Sequence, residues 1–355
     1  MTGTHARKAP VPFWALIAVL VVVGGSVAVG ARAWNGDEGA GAGHEPAGAA
    51  SSSVGGAREP SSSQPSSPVA DRKGRIVIHG AGDVSLDPGY ISTYASQGYG
   101  YAWSGLGGLF RRDDLTVVNV ECPVTDRGSQ LSKEFSFHGT AAALPAMRDA
   151  GVDVGSLANN HAYDRGPDGI VDSRRNLVSA GIAPVGAGKD QAQALRPATF
   201  QVRGWRVAVL GFDEVLDPLD EVAGPDKPGT AAGHDFHLMV QAVKAAAARA
   251  DIVIVMIHWG VELDTQPRDY QIAEGHRMID AGADVIFGAH SHRLQPMSTY
   301  RGRPIFWSLG NFVWPNFSTN GSTTAVAQVT VTPNGRFSGR LLPAFITAPG
   351  HPELR

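Results

Sequence analysis

The chain has 355 residues, 43% of them hydrophobic, enough for a substantial core in one large or two ordinary domains, which excludes a protein disordered throughout. A formal net charge of -3 and the absence of any Lys/Arg run exclude nucleic acid as the principal partner, because phosphate binding needs a concentrated basic surface. The single cysteine, Cys122, excludes an intrachain disulfide and a thiolate metal cluster, so any metal must be held by N and O ligands.

Residues 1–10, with Arg7 and Lys8, read as a cytoplasmic N-terminus. The apolar run 11–31, "VPFWALIAVLVVVGGSVAVGA", is long enough to cross a bilayer as a helix. It is expected to be a transmembrane signal-anchor, or a signal peptide cut at the small residues "ARA" (Ala31 to Ala33). The protein is then expected at the cell membrane, single-pass, with an extracellular C-terminal domain, or secreted if the signal is cleaved. Residues 32–74 are Gly, Ala, Ser and Pro with scattered charge and no apolar period, the composition of a disordered linker. Residues 75–350 form the folded domain.

In that domain short strand-like runs alternate with helix-like ones, an α/β pattern. "RIVIHGAGD" ends at Asp83, "LTVVNVE" at Glu121, "VDVGSLANNH" at Asn160 and His161, "DIVIVMIHWG" at His258 and "ADVIFGAHSH" at His290 and His292. Helices are expected in "AAALPAMRDAG", "GPDGIVDSRRNLVSAG", "FHLMVQAVKAAAARA" and "RDYQIAEGHRMIDAG", several stopping at Gly. Further strands fit "RVAVLGF", "PIFWSLGNF" and the alternating "TAVAQVTVT", which suits an antiparallel or edge place.

Five apolar runs thus deliver Asp, Glu, Asn or His at their C-terminal ends, the edge where open α/β sheets bind ligands. Two carboxylates, an amide and three imidazoles suit Mn, Fe, Zn or Mg, as one ion or as two flanking a shared carboxylate. Each residue also has an ordinary alternative: Asp83 as a cap, His258 as a core histidine, His290 and His292 sharing a face of an extended segment or bonded within a turn. Strand alternation puts Glu121 and Asn119 on one face and Cys122, a small buried hydrophobe, on the other. His79 shares strand parity with Asp83 but sits ~13 Å back at ~3.3 Å per residue. His276 lies on the apolar face of a helix, and His234 and His237 suit a loop or helix start. "GAGK" lacks the remaining spacing of a P-loop. In "ANNHAYD" His161 lies just past Asn160, and Asp164 is placed to accept the other imidazole N–H; a structural strand-to-helix junction is the alternative.

The motifs "GAGDVSLD", "VNVECPVTDRG", "SLANNHAYDRGPDGI", "IVMIHWGVELDTQPRDYQ" and "GADVIFGAHSHRLQPMSTYRGRPIFWSLGNFVW" resemble, in order and spacing, the CapA-type poly-γ-glutamate capsule biosynthesis proteins of the calcineurin-like metallophosphoesterase fold. The resemblance implies a four-layer α/β/β/α sandwich with metal ligands at Asp83, Glu121, Asn160, His258, His290 and His292. It also implies catalytic roles for His161 and Asp164. One departure is Ser85, where the wider phosphoesterase fold carries a His; another is Asp87, where many relatives carry Gly or a basic residue. The implied function is synthesis, export or processing of poly-γ-glutamate or a related envelope polymer, by a metal-dependent hydrolase or transferase-like component. The implied partners are the anionic polymer, the membrane, and the ligase and membrane subunits of a capsule synthase. A secreted metal-dependent phosphoesterase and a non-catalytic polymer-binding scaffold are the alternatives.

Overall fold

The structure, a computed structural model, describes residues 73–215 and 221–355. The expected membrane run at 11–31 and nearly all of the expected linker lie outside these residues. No helix among the described residues is long and apolar enough to cross a membrane. Lys73 and Gly74, expected in the linker, already hold to the domain: Lys73 Nζ lies 3.2 Å from Asp251 Oδ1, and the Gly74 N–H donates to the Arg203 carbonyl at 2.8 Å. At the other end the strand His351–Leu354 runs past the expected limit of 350 and pairs antiparallel with Phe337–Ala348. Its sequence, "HPEL", has no apolar alternation to announce it.

The fold is mixed α/β and contains two large sheets. One runs His351–Leu354, Phe337–Ala348, Thr323–Val331, Ile76–Val84, Leu115–Val120, Val154–Ser156, Ala183–Val185, with Asn311–Val313 parallel to the end of Ile76–Val84. The other runs Met297–Tyr300, Arg303–Phe306, Val285–Ala289, Ile252–His258, Trp205–Asp213, Ala198–Val202. Both inner faces are apolar, so the sheets close on each other: Ile76, Ile78, Val117 and Val154 share one cluster with Val207, Ile254 and Phe287. Helices cover the outer faces. Gly166–Ser179 supplies Ile170 and Leu177 to the cluster holding Val118 and Val120, while Phe236–Ala247 and Asp269–Ala281 supply Met239, Val243 and Met278 to that of Leu210, Val255 and Ile257.

Strand parity then decides which polar residues face the layer between the sheets. In Leu115–Val120 the inner residues are Leu115 and Val117, so Asn119 and then Glu121 continue inward. In Ile252–His258 the inner set Ile252, Ile254 and Met256 carries His258 to the same side. The first strand departs from this simple count. Ile76 and Ile78 face inward while Ala81 faces the helices, so unbroken alternation would turn Asp83 outward with His79. The register shifts instead: Ala81 pairs with Val118 but Asp83 pairs with Asn119, leaving Gly82 as an extra residue. A bulge of one residue inverts parity and brings Asp83 to the inner side. The shared parity expected for His79 and Asp83 is therefore wrong; His79 sits 5.9 Å from the Phe110 ring and hydrogen-bonds Asp113 at 2.6 Å.

Gly82 is required by closeness. A Cβ there would stand 1.8 Å from the Gly310 carbonyl oxygen, which accepts the Asp83 N–H at 3.0 Å. Gly82→Ala is expected to destabilise the domain by about 1–3 kcal/mol or more in urea unfolding, since backbone and not a side chain must yield. Wild-type stability in that variant would show that the bulge is soft.

Candidate metal centre

All six expected ligands gather where the layer between the sheets opens at the strand ends. Asp83 and Glu121 are fully buried and His258 is 1% exposed. Asn160 does not end a strand as expected. That strand is only Val154–Ser156, and the chain then turns, with Asn159 Oδ1 accepting the His161 N–H at 3.2 Å. Nor do His290 and His292 lie on an extended segment: their φ angles are 95° and 52°. Left-handed backbone at two non-glycine residues stores about 1–3 kcal/mol each and is characteristic of binding sites. The turn sets His290 Nδ1 3.2 Å from His258 Nε2 and leaves the His290 and His292 rings 6.2 Å apart.

The cluster divides into two groups that share a carboxylate. Glu121, His258 and His290 can present ligand atoms within 4.8 Å of one another, as can Asp83, Glu121 and His292. Asn160 Oδ1 reaches the first group, 3.0 Å from His258 Nε2. Both oxygens of Glu121 are sealed from solvent and accept no hydrogen bond, and Asp83 Oδ2, equally sealed, has the His292 Nδ1 near it, at 3.3 Å. Buried carboxylate oxygens left bare are costly, and a cation is the partner this donor set suits.

Protonation agrees with that reading. Burial, and then the charge of Asp83, raises Glu121 well above the usual glutamate range. Burial, and then the neighbouring imidazoles, hold His258 well below 6.5 and His290 down to about 4, so both are neutral with a lone pair to offer. Burial also pulls on His292, but the hydrogen bond and charge of Asp83 outweigh it and leave this imidazole raised.

Two supporting residues were not singled out from sequence as parts of the site. Asn119 Nδ2 donates to Asp83 Oδ1 at 2.9 Å and lies 3.2 Å from His258 Nδ1, tying the two sheets together. Asn311 Oδ1 takes the Nδ1 proton of His292 at 2.8 Å, which turns Nε2 toward Glu121 Oε1, 3.8 Å away. The parity of Asn119 with Glu121 was a usable signal, as was Asn311 within "SLGNF".

His161 and Asp164 adjoin the cluster. His161 Nδ1 lies 2.9 Å from Asp164 Oδ2, and that oxygen also accepts the Phe137 N–H at 2.7 Å. Lys133, with a side chain 5% exposed, lies 2.9 Å from both Asp164 Oδ1 and Glu221 Oε1. No pattern in "GSQLSKEF" marks this lysine, which reaches the site from a loop. Lys133→Met is expected to lose about 3–5 kcal/mol in urea unfolding, because Asp164 and Glu221 stay buried while the ammonium 2.9 Å from each is removed. A loss under 1 kcal/mol would mean that the pair is solvated in practice.

A cleft of about 220 Å³ opens beside these groups, lined by His161 and His292 and walled by Tyr90, Phe137, Trp314 and Phe317. A larger apolar groove, about 880 Å³, follows helix Phe236–Ala247 and the edge strand Ala198–Val202 and includes none of the ligand residues.

Residues 77–316, which include every residue of the cluster, match the family described as "Bacterial capsule synthesis protein PGA_cap". The chain belongs to this family. The chain is 35% identical over 230 residues to the PGA biosynthesis protein CapA of Bacillus subtilis, covering 64% of this chain and 60% of that protein. It is 31% identical over 276 residues to the capsule biosynthesis protein CapA of Bacillus anthracis, covering 76% of this chain and 67% of the relative. Among solved structures, the Haemophilus influenzae NAD nucleotidase overlaps this chain at 15% identity and a TM-score of 0.47, covering 76% of this chain and 50% of the other. A putative 5'-nucleotidase of Staphylococcus aureus overlaps it at 17% and 0.48, covering 76% and 54%. Overlaps of that size say nothing about substrate.

Proposed function

We propose that this chain is an extracytoplasmic, membrane-tethered component that acts through a divalent metal centre on poly-γ-glutamate or a related cell-envelope polymer, on a four-layer α/β/β/α fold of the metallophosphoesterase type. The observation that carries the reading is the pair of ligand groups meeting at Glu121, whose buried oxygens accept no hydrogen bond. Family membership and the names of the Bacillus relatives support the polymer, and the apolar run 11–31 behind Arg7 and Lys8 supports the tether.

Asp83, Glu121, Asn160, His258, His290 and His292 would hold one or two ions of Mn, Fe, Zn or Mg. When bound, such a cation polarises a carbonyl or phosphoryl oxygen and stabilises the charge that develops on it. The protein's own residues supply the rest. Asp164, accepting the Nδ1 proton of His161, fixes the ring so that its imidazolium form presents the Nε2 proton to the cleft and becomes the neutral Nδ1–H ring when that proton passes to a leaving nitrogen or oxygen. The Phe137 N–H and Lys133 hold Asp164 in place. Phe137 and Trp314 shield the reacting groups from water.

Ser85, fully buried where the wider phosphoesterase fold carries a histidine, weighs against phosphate esters as the substrate. The test is full-length protein in detergent, incubated with poly-γ-glutamate and with p-nitrophenyl phosphate, with and without added Mn. Metal-dependent shortening or transfer of the polymer supports the proposal. Turnover of the ester alone replaces it with a phosphoesterase, and polymer binding without turnover replaces it with a scaffold.

A further inference from the structure

We propose that Arg293 and the aromatic wall beside it form a subsite for the carboxylate of one repeat unit, next to the unit held at the metal centre; this rests on the polymer reading above. The wall begins at the reacting groups. The Trp314 ring stacks on His292 at 5.0 Å, the Phe137 ring lies 4.4 Å from that of His161, and Tyr90 contacts Phe137 and Trp314 at 4.7 and 5.4 Å. Phe317, 79% exposed, carries the wall outward, 6.0 Å from Tyr90. Contiguous aromatic surface at the mouth of a polar site is built to be covered.

Arg293 stands at the foot of this wall, half-buried, with Nη1 donating to the His292 carbonyl at 2.8 Å. Among the described residues no carboxylate lies within ion-pair distance of it, although the neighbouring cluster is rich in acids. A guanidinium anchored on backbone and lacking a counter-ion is a ready receptor for a carboxylate, which it binds through two parallel N–H donors. The methylenes of a glutamyl unit then lie against the rings. A cleft of about 220 Å³ is smaller than the ~300–1,000 Å³ of sites that enclose drug-sized ligands, so it holds a single unit while the chain continues outside. Glu262, exposed on the same cleft, opposes the anion and sets how tightly the unit is held.

The test is calorimetric titration of the metal-loaded full-length protein with a short γ-glutamyl oligomer and with its carboxamide form, with metal content measured for every variant. The parent is expected to bind the acid form at least tenfold more tightly than the amide. Arg293→Gln should remove that preference, Glu262→Gln should strengthen acid binding several-fold at low salt, and Phe317→Ala, at an exposed position, should weaken both forms about threefold, all with metal retained. Parent binding that Arg293→Gln leaves unchanged, with metal retained, overturns the subsite alone. No binding by the metal-loaded parent overturns the polymer reading and the subsite together.

Discussion

Stripping divalent metal with a chelator is expected to lower the melting temperature by roughly 10 °C and to make the remaining stability fall as pH rises above 6.5. A cation at 1,000 times its dissociation constant stabilises the fold by about 4 kcal/mol, and for a domain of this size each kcal/mol moves the transition by roughly 2–4 °C. The pH slope follows from the groups left behind. Glu121 and His292 are raised in the folded protein, so between their unfolded and folded values the native state keeps protons that the unfolded chain has released. Stability from those groups is lost as pH rises. His258 and His290 are depressed, and their contribution is lost as pH falls below 6.5, so it does not offset the slope above that point. Bound metal should remove the share of the slope that belongs to Glu121 and His292, because it replaces their protons, while Asp213 and Glu214, also raised by burial and outside the ligand groups, keep theirs. The parent should carry between about one and two ions, and the His290→Ala/His292→Ala double variant should lose most of them. Calorimetry between pH 6.5 and 9, paired with elemental analysis, reads both. A chelated protein with an unchanged melting temperature, or a double variant with full metal content, would remove the centre as described.

Replacing His161 by Ala is expected to lower turnover of the polymer by roughly 10²- to 10⁴-fold while metal content stays at the parent level. His161 lines the cleft, is 7% exposed, and hydrogen-bonds Asp164, not a member of either ligand group. Asp164→Asn should reduce turnover less, since an amide oxygen can still accept the Nδ1 proton. It should also reduce stability, because the buried Lys133 ammonium loses the charge of the carboxylate 2.9 Å away. Asn160→Ala should act differently and lose metal, because its oxygen stands among the ligands, 3.0 Å from His258 Nε2. Single-turnover assays with matched metal analysis separate these effects. Full activity in His161→Ala would make this histidine structural and turn the site from catalysis to binding.

The candidate ligands could be picked out before any fold was known, because Asp83, Glu121 and His258 close apolar strands, or follow them directly, and strand ends are where an α/β sheet exposes polar groups. Asn119, Glu121 and His258 follow from period-2 counting alone, since their strands continue unbroken to the site. The two-carboxylate, one-amide, three-imidazole donor set is a matter of composition and needs no coordinates. The helices over 166–179, 236–247 and 269–281 were also readable from apolar periodicity, the first and last with a glycine, Gly181 and Gly282, just beyond them.

Other features depend on contacts between segments far apart in the chain. The orientation of Asp83 is one: counting from Ile78 turns it the wrong way, and only the bulge at Gly82, pressed against Gly310 from more than 200 residues later, brings it inward. Lys133 is another, because its partners Asp164 and Glu221 reach it from separate loops and no local pattern links them. The left-handed turn at His290 and His292 is a third. Sequence spacing put the two imidazoles close together, but their places in two different ligand groups come from the unusual backbone that surrounding packing enforces. Local periodicity is a property of the chain and can be read from it; register, backbone strain and the pairing of buried charges are set by the segment that arrives opposite, and only the folded molecule decides which one that is.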